Sequence, residues 1–179
     1  MHKRGAAFAA LAVCGALAAA DARPWKPQGD ALAEDYAEIV DSRPNGDLVL
    51  LMWMVPQIVK GSPAAAAMLD KYVMIGVVQA HSQPGGVVTF EDIDTLAAGD
   101  ISGKPLKLLQ GNDLPPDVTG GIAGISGVMR RTIGQMGQGM HFFAFEAGAV
   151  HACEKGRLSV PFAGETYTYD TPIPGCATP

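Results

Sequence analysis

The chain has no Cys-x-x-Cys pair, no His-Glu-x-x-His, no Gly-x-x-x-x-Gly-Lys and no Gly-x-Gly-x-x-Gly behind a strand. Dithiol redox chemistry, zincin hydrolysis, phosphate cradling and dinucleotide binding are each signalled by one of these spacings. Gly124-Ile-Ser-Gly127 lacks the second spacer of a Gly-x-Ser-x-Gly nucleophile elbow. Charge is also scarce: 17% of residues are Asp, Glu, Lys or Arg, and 13 basic residues face 18 acidic ones. A net charge of −5 with scattered cations makes nucleic acid and anionic membrane poor partners. Arg130-Arg131 is the only basic pair in the domain interior. Beyond residue 22, no apolar run approaches the roughly 20 residues needed to cross a bilayer.

What is present begins with an export signature. His2, Lys3 and Arg4 precede an uncharged, Ala-rich run from Gly5 to Ala20, and Ala20-Asp21-Ala22 fits a small-x-small cleavage site. The expected organisation is a signal peptide over 1–22 and one globular domain over 23–179, about 157 residues and one domain's size. Cleavage removes Cys14 and leaves Cys153 and Cys176, an even pair in an exported chain. That parity predicts a Cys153–Cys176 disulfide. A lipobox reading of Leu11-Ala12-Val13-Cys14 departs from the pattern at Val13, where a small residue belongs.

Local signals then order the domain. Arg23–Gly29 reads as an exposed lead-in. A helix is expected from Ala31 to about Val40, because Leu32, Tyr36, Ile39 and Val40 recur at helical spacing. Leu48–Met54, the most apolar run, reads as a buried strand. Ser62-Pro63 supplies an N-cap and a first helical residue for an Ala-rich helix to Lys71. Tyr72–Gln79 and Val87–Ile93 read as strands about the Gln83–Gly86 turn, and Pro105–Leu109 as a short edge strand after the turn at Asp100–Lys104. Asp117–Met136 is the long helix, with Val118, Ile122, Ile125, Met129, Ile133 and Met136 as its apolar stripe. Gly120, Gly121, Gly124 and Gly127 weaken it by roughly 1 kcal/mol each relative to Ala. Close backbone packing on the sheet is the expected reason for them.

The last quarter predicts a four-strand antiparallel meander: His141–Glu146, Ala149–Cys153, Arg157–Phe162 and Glu165–Asp170, with turns at Ala147-Gly148, Glu154–Gly156 and Ala163-Gly164. Closing those turns puts Val160 opposite Tyr167 and Leu158 opposite Tyr169. Phe143, Phe145, Val150, Ala152, Leu158, Val160, Tyr167 and Tyr169 then share one face. The fold class is α+β: a mainly antiparallel sheet, single or paired as a sandwich, with one long helix and one or two short ones packed on it.

No set of residues at catalytic spacing emerges, so no catalytic, cofactor-binding or metal residue is assigned and no cofactor is expected. The functional expectation is an exported, periplasmic or secreted, non-enzymatic domain. It binds a partner protein or cell-envelope component through an apolar patch around Trp25 and Phe142. The alternative is a small periplasmic metal-binding protein using His141 and Met140 with His81 or His151. It requires at least three of those side chains to converge. Glu91, Asp92, Asp94 and Asp100 could supply oxygens to calcium, but not at EF-hand spacing.

Overall fold

A computed structural model describes residues 22–24, 33–59, 62–83 and 85–176. The signal peptide expected over 1–22 lies, apart from Ala22, outside these residues, as do Trp25 and most of the lead-in. Two sheets are stacked. The larger has six strands: β2 (Glu38–Ser42), β3 (Asp47–Met54), β4 (Tyr72–Ser82), β5 (Val88–Phe90), β6 (Leu108–Leu109) and β7 (His141–Glu146). They run in the order β2-β3-β4-β7-β6, with β5 pairing β4 beyond the end of β7, and all pairings are antiparallel. The smaller sheet is β8 (Gly156–Phe162) beside β9 (Glu165–Thr171), with β1 (Ala22–Pro24) parallel to β9.

Alternation along the central strands explains the stacking. On one face of the larger sheet, Leu51, Trp53, Ile75, Val77 and Phe145 meet Leu158, Val160, Tyr167 and Tyr169 of the smaller sheet in one buried cluster. On the other face, Met54, Met74 and Ala144 pack beneath helices. Because β3 and β4 are covered on both sides, they read as continuous apolar runs rather than alternating ones. Trp53 and Tyr169 meet edge-on at 5.6 Å between the layers. A polar clamp closes one end: Tyr167 donates to Asp41 Oδ2 at 2.8 Å, and Arg43 donates to the Ala163 carbonyl at 2.7 Å and to Tyr167 Oη at 3.0 Å. Burial of Tyr36 and the nearby Asp170 carboxylate push the Tyr36 hydroxyl up to about 12.

The α+β class and mainly antiparallel sheet agree with the sequence reading, and so does the last hairpin: Val160 pairs Tyr167 and Leu158 pairs Tyr169. Its two-residue turn has φ of 50° at Ala163 and 84° at Gly164, the left-handed geometry of a tight hairpin. The four-strand meander is corrected. Ala149–Cys153 is not a strand but part of the crossover between the two sheets, and β7 pairs β4 instead. The predicted face still forms a single cluster, because the two sheets fold toward each other and meet along it.

Helix α2 (Pro63–Lys71) starts as expected, with Ser62 Oγ accepting from the Ala65 amide. Two helical expectations change. The first helix, α1, is confined to Ala33–Ala37, and Glu38–Ser42 pairs β3 instead, where β-branched Ile39 and Val40 suit a strand. The long helix, α3 (Pro116–Thr132), ends before Gly134, whose φ of 58° breaks it from the short α4 (Gln135–Gln138). No helix among the described residues is long and apolar enough to cross a membrane.

Candidate ligand-binding groove

Beneath α2 and α3, the outer face of the larger sheet is only partly covered by the described residues. A half-open groove of about 1020 Å³ remains there. Its floor is Met52 and Met54 of β3 together with Ala37 and Glu38 at the α1–β2 junction. One wall is the face of α2 carrying Ala64, Ala67, Met68 and Lys71, with Ile58 and Val59 before it. The other is the face of α3 carrying Asp117, Gly121, Gly124, Ile125, Val128 and Thr132. Both stripes repeat at three- and four-residue steps, the spacing that aligns side chains on one side of a helix. Sites for small molecules commonly occupy about 300–1,000 Å³ and have mostly apolar walls. This groove is at the upper end of that range.

Gly124 leaves open space on the α3 wall, contrary to the expectation of backbone contact with the sheet. A Cβ at Gly120 or Gly124 would meet nothing within 4 Å, and one at Gly121 would meet only Met68. Only Val118 of α3 is fully buried, while Val128 is 47% exposed on the groove wall. All four lining methionines keep little exposure: Met52 and Met129 are half-buried, and Met54 and Met68 are buried. Thioether side chains adapt their shape to an occupant at little cost. Phe142, expected on an exposed patch, instead packs between sheet and helix against Ala144, Met140 and their neighbours.

The other candidate residues are dispersed. His81 is held between two carboxylates, Nδ1 at 2.7 Å from Asp47 Oδ1 and Nε2 at 2.8 Å from Glu91 Oε1. His141 pairs Val77 across the β4–β7 ladder, four residues along β4 from His81, roughly 13 Å at strand rise. Its Nε2 lies 3.9 Å from Asp92. His151 sits in the crossover, and Met140 is buried under α3 and α4. No three His, Cys, Asp or Glu side chains converge as a metal set among the described residues. The acidic candidates separate too: Glu91 is bound to His81, and Asp100 caps its own turn by accepting from the Ser102 and Lys104 amides. The predicted Cys153–Cys176 disulfide is present.

The His81 arrangement gives a pH dependence. Hydrogen bonds donated to Asp47 and then Glu91 raise the imidazole above its ordinary value, and the His81 bond lowers the Asp47 carboxyl. The raised histidine contributes stability that is fully present below its unfolded value, about 6.5, and lost as pH rises through the folded one. The depressed Asp47 contributes stability present above about 3.9 and lost as pH falls. The pair is strongest between those limits. Between about pH 6 and pH 9, wild type should lose melting temperature relative to His81→Gln. Parallel melting curves for the two proteins over that range would refute the linkage.

By architecture this is a three-layer α+β protein with an apolar groove between its helices and its larger sheet. No family model matches the chain, and no curated protein or solved structure gives a match either.

Proposed function

We propose that the chain is an exported, non-enzymatic binding domain that takes an apolar component of the cell envelope into the α2–α3 groove. The observation behind this reading is the groove itself: methionine, alanine, isoleucine and valine side chains make up most of its lining, with Glu38 half-buried at its floor and Lys71 and Asp117 exposed. An open apolar surface of that kind is costly in water unless an occupant covers it. The basic, Ala-rich N-terminus supports export, and the disulfide suits an oxidising compartment. No catalytic spacing was found in the sequence. The dispersed histidines give the metal alternative no specific support.

The test is uptake of N-phenylnaphthylamine, a neutral apolar fluorophore, by the purified mature protein. A saturable rise in fluorescence is expected. It should be lost in Gly124→Phe, because a Cβ at that helical position meets nothing within 4 Å and the aromatic ring it carries takes up groove space. An unchanged melting temperature in the variant keeps the result from being one of misfolding. No uptake by wild type would overturn the proposal, and so would equal uptake by the variant. Intact mass of the exported protein checks the cleavage expected after Ala22.

A further inference from the structure

We infer that the groove's occupant is a single-chain zwitterionic phospholipid of the lysophosphatidylethanolamine type, an inference that rests on the groove reading above. Three observations point to it. First, the interior offers no hydrogen-bonding specificity. Among the lining residues, the polar ones are Glu38, Lys71, Asp117 and Thr132; Glu38 is half-buried and the other three are exposed. Sugars and nucleotides need placed polar groups in the site, whereas a polymethylene chain needs none. Second, the two walls touch each other. Met68 lies against Gly121, where its Cε is 2.7 Å from the site of a Cβ. A partner helix about 10 Å across would have to part that contact. One extended acyl chain does not.

Third, the rim carries both signs. Lys71 holds its ammonium 4.9 Å from the Tyr72 ring centroid and lies within electrostatic reach of Asp117, and both are exposed lining residues. A free fatty acid would bring its carboxylate beside Asp117 as well as Lys71. A phosphoethanolamine head matches both signs, its phosphate toward Lys71 and its ammonium toward Asp117. The chain's acidic balance also suits capture of one dispersed amphiphile better than docking on an anionic bilayer.

The experiment is displacement of N-phenylnaphthylamine from the mature protein by three ligands of equal chain length: lysophosphatidylethanolamine, the free fatty acid and the monoacylglycerol. An apolar helical peptide is the fourth competitor. The lysolipid should displace the probe at about fivefold lower concentration than the other two lipids, the scale expected of exposed ion pairs. Lys71→Glu, at an exposed position, should lose that preference, and the conservative Lys71→Arg should keep it. Equal displacement by all three lipids overturns the headgroup assignment while leaving the groove reading intact. Displacement by the peptide and not by lipid overturns the lipid occupant. Failure of wild type to take up the probe at all removes the groove reading, and this inference with it.

Discussion

Replacing both Cys153 and Cys176 with alanine should lower the free energy of unfolding by roughly 3 kcal/mol. The bridge closes a loop with a sequence separation of 23, and most of its effect is to restrict the unfolded chain. In the folded protein it ties the C-terminal tail to the crossover between the sheets. There the Ile173 amide donates to the Ala152 carbonyl at 2.9 Å, and Ile173 is buried. Gln57 Nε2 lies 2.9 Å from Cys153 Sγ and so brings β3's outgoing turn into the same junction. Without the bridge, that hydrogen bond and the burial of Ile173 must hold the tail alone. The corresponding drop in melting temperature is about 6–12 °C. Chemical denaturation of wild type and the double variant gives the energy directly, with the slope unchanged if the denatured state stays as compact. A loss below about 0.5 kcal/mol would show that the tail is held without the disulfide.

The same substitution at two helical glycines should act in opposite directions. Gly124→Ala places its methyl in open space on an exposed helix, so it should stabilise the protein by about 0.4–1 kcal/mol through the narrower unfolded ensemble and better helix propensity. At Gly137 in α4, a Cβ would overlap the Met129 carbonyl and come within 2.8 Å of the Arg130 amide nitrogen, both backbone groups of α3. Neither can turn away as a side chain would. Gly137→Ala should therefore destabilise by roughly 1–3 kcal/mol, the range of overpacked sites. Differential scanning fluorimetry of the two variants beside wild type decides it. Like signs would show that the α3–α4 packing or the open wall at Gly124 has been misread.

Which glycines matter, and why, was hidden in the primary structure. Gly121 and Gly124 fall at helical spacing beside the apolar stripe, and that spacing suits either close packing or an open wall. Only the positions of α2, Met52 and Met54 distinguish the two. The groove's lining comes from α1, β2, β3, α2, α3 and the turn after β3, so no short motif could announce it. The nearest sequence signal was the pairing of a glycine-rich helix face with several methionines. The histidines illustrate the same limit, since their spacing gave no hint that His81 would sit between Asp47 and Glu91.

By itself, the sequence determined features settled within a few neighbouring residues. The Ser62-Pro63 helix start, the Ala163-Gly164 hairpin and its register, the two-sided burial of Leu48–Met54 and the parity that pairs Cys153 with Cys176 all belong here. Local hydrogen bonds, restricted dihedrals and side-chain period act over those distances. The tertiary structure decided that β7 pairs β4, that Ala149–Cys153 crosses between layers, and that α3 leaves part of the sheet uncovered. Strand partnership depends on burying apolar surface across the whole chain. Val150 and Ala152 satisfy that demand in the crossover, packed into or against the shared core, as well as they would in a strand.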